Sequence, residues 1–165
     1  MLRRQRGLFG CTAILFNHES PLRGPQYLTR KVTMAAAQAR IILDKGLPPR
    51  QLIKFKNPSA RTDWSSARDF VRAMPMILNQ SMPRDYTLAS GRARSVGDLV
   101  TTTFTQAGVG EWRLFVEIAD QSQRANFIIG DIDETTDHLG WKPEISFDDM
   151  IAEMVGHDIA ALRGL

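Results

Sequence analysis

The sequence has few of the residues that build metal sites and disulfide frameworks. Among its 165 residues are one cysteine, Cys11, and three histidines, His18, His138 and His157. A single thiol excludes an internal disulfide and a thiolate metal cage. The histidines share no metal-ligand spacing, so we expect no metal site. A lone cysteine is compatible with a reducing compartment, and we therefore expect a cytoplasmic location.

Long apolar runs and concentrated charge are missing as well. No apolar run reaches the ~18 residues of a membrane span, so no membrane partner is expected. Basic residues followed by a short apolar run at 1–20 resemble a signal peptide, but no small-residue cleavage site follows, and this interpretation is not favoured. The net charge is only +3. Without a basic stripe or interleaved aromatic residues, no nucleic-acid partner is expected.

Signatures of complete catalytic centres are absent. Gly108 and Gly110 begin like a dinucleotide fingerprint, but the third glycine is missing, and the pair is better explained as a helix end.

Tyr27 and Lys31 have the Tyr-x-x-x-Lys spacing of short-chain dehydrogenases. That chemistry needs a glycine-rich turn before the tyrosine, and none precedes it, so we interpret the match as chance.

The patterns that are present indicate a folded α/β protein. Apolar residues make up 43% of the chain and charged residues 24%, which is typical of globular domains. Period-two and short apolar segments alternate with helical periodicity, and this alternation favours the α/β class. We predict strands at 11–16, 51–55, 85–89 and 112–118, and helices at 29–45, 66–80, 132–139 and after the cap residues Ser95 and Ser146.

A polar loop after the first predicted strand is the most informative segment. Residues 14–33 concentrate amide, carboxyl, guanidinium and ammonium groups between that strand and a helix. Ligands bind α/β proteins at such positions, where a helix N-terminus also attracts anions. Arginine and lysine neutralise phosphates, and asparagine donates to their oxygens. On composition alone, an anion-binding site and an ordinary surface loop remain equally open.

A resemblance covering nearly the whole chain adds to this interpretation. The segment LFNHESPLRG at 15–24 resembles LFNHESPRRG of the GDP-mannose 4,6-dehydratases, which are extended short-chain dehydrogenases. YLTRKVT is similar to their FVTRKIT, and NPSARTDWSSARDFVRAM to their N-x-x-AKRDWGHAKDYVEAM. YTLASGRARSVGDLV resembles their Y-x-x-ATGE-x-HSVREFV, and GDIDETTDHLGWKP their GD-x-x-KA-x-x-LGWKP. The segments occur in the family's order.

The resemblance implies roles for residues at matching positions. Asn17 corresponds to the asparagine that reaches the diphosphate of GDP-mannose, and His18 lies on the loop that passes the nicotinamide end of NADP. Arg23 is the second of two arginines that reach the NADP of a neighbouring subunit and help to form a tetramer; the first is Leu22 here. Lys31 matches a lysine that contacts the nucleotide.

Two further positions depart from the family pattern. The substrate-binding arginine of RDW is replaced by Thr62, and Arg61 beside it is the candidate substitute. For the family's RP-x-E-V segment, two alignments of 121–126 remain open. Either Arg124 is the family arginine and the following P-x-E is deleted, or Gln121 replaces the arginine and Arg124 replaces the glutamate. Both alignments lose the glutamate, and Arg124 is the candidate substrate ligand in this segment.

The resemblance also implies an incomplete catalytic unit. Residues 1–165 would form a single partial domain, comprising the last Rossmann strands and helices and the small α/β substrate lobe. Its catalytic residues would lie in a separate nucleotide-binding half, so the expected lyase activity would be absent from this chain alone. The strand at 11–16 would present an exposed apolar edge. Its partners would be GDP-mannose and either a homo-oligomer or a complete dehydratase subunit. Alternatives are a non-catalytic binding or docking module and a membrane-surface protein using its N-terminal arginines.

Overall fold

Strands and helices alternate along the computed structural model, which describes residues 2–119 and 127–164. The helices are α1 (Leu2–Arg6), α2 (Leu28–Asp44), α3 (Ala67–Leu78), α4 (Val96–Gln106), α5 (Asp133–Leu139) and α6 (Phe147–Arg163). The strands are β1 (Thr12–Leu15), β2 (Asn17–Glu19), β3 (Ile53–Phe55), β4 (Arg61–Ser66), β5 (Asp85–Leu88), β6 (Ala93–Ser95), β7 (Val116–Ile118) and β8 (Phe127–Ile128). Among these residues no helix has both the length and the apolarity to cross a membrane.

Within the described residues the strands form three small sheets, mostly parallel. β1 pairs with β5, and β3 pairs with β7, both in parallel. β4 is the centre of the remaining sheet: it pairs in parallel with β2 and β8 and antiparallel with β6. In the pairing of β2 with β4, Asn17 lies opposite Trp64. The polar segment that follows β1 is therefore fixed by backbone pairing to β4.

Three helices enclose the larger core. The buried face of α2 is rich in alanine, including Ala35, Ala36 and Ala39, so that α6 and α4 approach it closely. A second cluster lies between α3 and the β1–β5 pair, where the buried rings of Phe70 and Trp141 meet edge to face. Trp64 of β4 belongs to the larger core, and α3, which carries part of the second cluster, also contacts β4.

Most predicted elements are confirmed within one or two residues of the observed bounds. The predicted cap residue Ser95 forms a capping box, since Ser95 Oγ accepts from Asp98 N and Asp98 Oδ2 accepts from Ser95 N, both at 2.9 Å. Gly140 ends α5 with a φ of 63°, a conformation that favours glycine.

Two expectations about local structure were wrong. Residues 112–114 form a 3₁₀ turn rather than the first half of a strand, and pairing begins only at Val116. Residues 17–19, expected in a loop, form β2. The polar segment Arg61–Ser66 gave no strand signal, yet β4 is the central strand of its sheet. Its Asp63, Ser65 and Ser66 are buried, so no polar–apolar alternation marks it.

Candidate functional site

Asn17 is exposed at the start of β2, beside β4. Its Nδ2 donates to the backbone oxygen of Asp63 at 3.4 Å. The parallel pairing of β2 with β4 fixes the backbone on which this amide is carried. An exposed amide on a fixed backbone can donate to a ligand oxygen with little loss of conformational freedom.

His18 is half-buried and packed against the second core cluster. Its Nδ1 lies 2.9 Å from the backbone oxygen of Phe16, and its ring centroid lies 5.3 Å from that of Phe70. When Nδ1 carries the proton and donates to Phe16, Nε2 is left as an acceptor. The ring orientation is therefore set by the protein.

Glu19 is a buried carboxylate that anchors the loop between β2 and α2. Thr29 Oγ1 donates to Glu19 Oε2 at 2.5 Å, and Arg23 Nε lies 3.5 Å from the same oxygen. Burial raises the pKa of Glu19, while the Thr29 hydrogen bond and the Arg23 charge oppose that rise. The guanidinium carbon of Arg23 also lies 3.6 Å from the ring centroid of Tyr27. Arg23 is thus engaged within its own loop.

Arg30, although part of the same polar segment, is a structural residue. It is 8% exposed, and its Nη1 contacts both carboxylate oxygens of Asp158 at 2.6 and 2.5 Å. Its Nε donates to the backbone oxygen of Arg23 at 3.1 Å. This one side chain joins α2, α6 and the loop before α2.

Lys31, the next residue, faces a cavity. It lies in the first turn of α2, is exposed, and lines a space of about 340 Å³ between this turn and β3. Lys54 lines the same space, with its Nζ 2.5 Å from Glu117 Oε1. Among the described residues no carboxylate lies within 4 Å of the Lys31 ammonium group. The cavity therefore presents an available cation.

Arg61 begins β4 and is exposed, with its Nη2 donating to the backbone oxygen of Ala93 at 2.9 Å. Along β4 it lies three residues before Trp64, the partner of Asn17 in the sheet, which corresponds to roughly 10 Å of strand. Arg124 falls outside the described residues. The structure thus brings Asn17 and Arg61 onto adjoining strands, while the described lining of the Lys31 cavity includes neither.

Asp63 was not singled out from the sequence, although it lies within the RTDW segment. It is fully buried, and its carboxylate accepts from the backbone nitrogens of Ser90 (2.7 Å), Gly91 (2.9 Å) and Gly130 (3.4 Å). One side chain therefore fixes the turn after β5 and the segment after β8. The described part of the chain contains no cluster of three or more histidine, cysteine or acidic side chains that could hold a metal.

Comparison with known proteins identifies one family. Residues 1–154 match the family model of GDP-mannose 4,6 dehydratase. The chain is 35% identical to GDP-mannose 4,6 dehydratase 2 of Arabidopsis thaliana over 95% of its own length and 41% of that relative. It is 34% identical to the GDP-mannose 4,6-dehydratase of Sinorhizobium fredii over 98% of its length and 50% of that relative. The chain thus spans about half the length of the curated relatives that it matches.

Solved structures share the fold. The chain superposes on RMD from Pseudomonas aeruginosa, complexed with NADPH, with a TM-score of 0.80 and 19% identity, covering 97% of this chain and 52% of that one. For the Thermotoga maritima UDP-glucose 4-epimerase with UDP-glucose, the TM-score is 0.79 at 17% identity, covering 97% and 49%. The expected fold, a part of the Rossmann-like epimerase and dehydratase architecture, is confirmed.

Proposed function

The chain belongs to the GDP-mannose 4,6-dehydratase family, and on this basis we propose that it binds GDP-mannose as the substrate-side part of such an enzyme. The cavity beside Lys31 carries the proposal. The cavity volume of about 340 Å³ lies in the range of small-molecule sites. The ammonium group of Lys31 has no ion-pair partner among the described residues. A cation placed this way suits the diphosphate of a sugar nucleotide.

The remaining candidates contribute from the neighbouring strands. Asn17 donates its amide hydrogens to phosphate oxygens, and Arg61 supplies the positive charge that Thr62 does not. Arg124 contacts the nucleotide where it aligns with the family arginine; in the other alignment it stands at the position of the family glutamate. These roles rest on the resemblance and on the exposure of Asn17 and Arg61.

The residues present fit only an edge of an NADP site. Within the described residues Nε2 of His18 has no hydrogen-bond partner, but the Arg23 guanidinium is engaged by Tyr27 and Glu19. The sequence contains no Gly-x-x-Gly-x-x-Gly turn for a pyrophosphate. In the family, NADP accepts and returns a hydride. We propose that turnover requires a nucleotide-binding region with its own Tyr-x-x-x-Lys pair, and that this chain positions the substrate.

The second candidate function is a docking module for complete dehydratase subunits. It is favoured by the exposed apolar residues of β1, where Ile14 is 52% and Leu15 is 40% exposed. Co-purification with a full-length dehydratase, lost on Ile14→Lys, would support it. The cytoplasmic location expected from the cysteine content stays a prediction.

Calorimetry with two sugar nucleotides tests the proposed substrate. We expect GDP-mannose to bind the chain at least about tenfold more tightly than UDP-glucose, a difference of about 1.4 kcal/mol. Incubation with GDP-mannose and NADP should yield no 4-keto sugar from this chain alone. Equal affinity for the two nucleotides would refute guanine-nucleotide specificity, and product formation would refute the need for a second region.

A further inference from the structure

A second cleft, lined by cations, lies between the turn before β6 and the N-terminus of α6. Its volume is about 390 Å³. Basic side chains Arg92, Arg94 and Lys142 line it together with the rings of Trp64 and Phe147. Within the described part of the chain, none of the candidate substrate or cofactor residues lines it. The cleft is therefore separate from the Lys31 cavity.

The three cations of the cleft are not neutralised by close ion pairs. Among residues 2–119 and 127–164, no carboxylate lies within 4 Å of Arg92, Arg94 or Lys142. The guanidinium carbon of Arg94 lies 5.3 Å from the Phe147 ring centroid. Glu144, the acidic residue of the described lining, has its Oε1 3.1 Å from Arg72 Nη1. The cleft therefore carries an excess of positive charge.

The carboxylate of Asp98 interacts electrostatically with Arg94 of the cleft. Its pKa is lowered, first by the hydrogen bond from the Ser95 backbone and, to a lesser extent, by the charges of Arg61 and Arg94. Asp98 is committed to the capping box of α4, since its Oδ2 accepts from Ser95 N. Its carboxylate thus stabilises a helix end and leaves Arg94 available to a ligand.

An unpartnered hydroxyl in the wall of the cleft is an independent sign of a ligand. Ser65 lines the cleft and is 4% exposed, and its Oγ has no hydrogen-bond partner within the described residues. Buried hydroxyl groups normally have a partner, and an exception calls for an explanation. A ligand oxygen at this wall would supply one.

We propose that this cleft binds the phosphate group of a small metabolite, either free phosphate or a sugar phosphate. Arg92, Arg94 and Lys142 pair with the phosphate oxygens, and Ser65 donates its hydroxyl hydrogen. Trp64 and Phe147 provide an apolar wall for an attached sugar ring. This activity goes beyond the proposed binding of GDP-mannose.

Calorimetric titration with inorganic phosphate, glucose 1-phosphate and free glucose tests the proposal. We expect saturable binding of at least one phosphate compound and none of glucose. The Arg92→Gln/Arg94→Gln double variant should bind about tenfold more weakly or worse, and Ser65→Ala about threefold more weakly. Arg50→Gln removes an exposed arginine outside the cleft and should have no effect. Circular dichroism checks that every variant is folded.

The comparison of ligands also identifies the source of the phosphate. Equal affinities for inorganic phosphate and glucose 1-phosphate indicate a free-phosphate site, whereas tighter binding of the sugar phosphate assigns a role to the rings. The proposal is overturned if the folded chain binds neither compound, or if Arg50→Gln weakens binding as much as the double variant. Failure of phosphate binding here would leave the proposed GDP-mannose site at Lys31 untouched, because the described linings of the two sites share no residue.

Discussion

The buried carboxylate of Glu19 shows how one residue organises the loop that carries most candidate ligands. It accepts a hydrogen bond from Thr29 and lies beside Arg23, which in turn stacks on Tyr27. The loop between β2 and α2 is therefore closed on itself. Its shape depends on a charged group kept out of water, and this dependence makes it sensitive to pH.

We predict that ionisation of Glu19 lowers the free energy of unfolding as the pH rises. Because burial raises its pKa, the folded state binds the proton more tightly than the unfolded state does. Its contribution to stability is therefore fully present below the unfolded pKa, which is near 4.5, and falls as the pH rises through the folded value. Glu19→Gln has no such proton. Urea denaturation measures the free energy of unfolding of both proteins. As the pH rises from 4.5 towards neutrality, the value for Glu19→Gln should increase relative to that for the wild type.

A second variant makes this test specific. Thr29→Val removes the hydrogen bond that lowers the pKa of Glu19, so the loss of stability with rising pH should become larger. Parallel pH profiles for the wild type and Glu19→Gln would contradict this account of the loop.

At this scale the sequence identified residues 14–33 as the candidate segment but did not predict the partner of each side chain in it. Arg23, Arg30 and Lys31 have similar charge and lie within nine residues. In the structure Arg23 contacts its own loop, Arg30 pairs with Asp158, and Lys31 lines a cavity. These differences arise from partners distant in sequence, which local composition does not contain.

At the scale of elements, a buried ion pair fastens α2 to α6. Arg30 and Asp158 are both nearly buried, and their contact spans 128 positions of sequence. Breaking such a pair leaves one charge buried without compensation, whereas replacing both partners avoids that penalty. Loss of one member of the pair should therefore lower the free energy of unfolding by more than the intact pair contributes to it.

We predict that Arg30→Met lowers the free energy of unfolding by about 3 kcal/mol, and Asp158→Leu by a similar amount. The Arg30→Met/Asp158→Leu double variant should lose less than the sum of the two. Urea denaturation of all three variants measures this. Arg163→Met is the matched control: its pair with Asp44 is partly exposed, and removing it should cost less than about 1 kcal/mol. Additive losses in the double variant would contradict the proposed coupling.

Elements with clear periodicity were predicted well, and elements made by pairing were not. The helices after Ser95 and Ser146 follow from their caps and apolar faces, and both caps are present. β2 and β4 are strands because they pair with each other and because β4 also pairs with β6 and β8. Their polar sequences show no alternation, so only the tertiary arrangement makes them strands.

At the scale of the whole molecule, β1 has an edge that no other described strand covers. It pairs only with β5 within the described residues, and its own residues Ile14 and Leu15 are exposed. The exposed apolar edge predicted from the sequence is therefore present. Unpaired backbone beside apolar side chains favours pairing with another chain.

We predict that the chain self-associates through this edge and that Ile14→Lys shifts it towards monomer, because a charged side chain disfavours edge pairing. Sedimentation velocity over a range of protein concentrations measures the change. Val71→Lys, at an exposed residue of α3, is the control and should associate as the wild type does. A wild type that stays monomeric at every concentration would refute the prediction.

The central claim is that a sugar nucleotide binds through the cation at the start of α2, and calorimetry with GDP-mannose tests it most directly. We predict that Lys31→Ala weakens binding about tenfold, because it removes the ammonium group that faces the cavity. Lys45→Ala, at the exposed end of the same helix, should bind like the wild type. Equal affinities for Lys31→Ala and the wild type, or no binding by the folded wild type, would contradict the account.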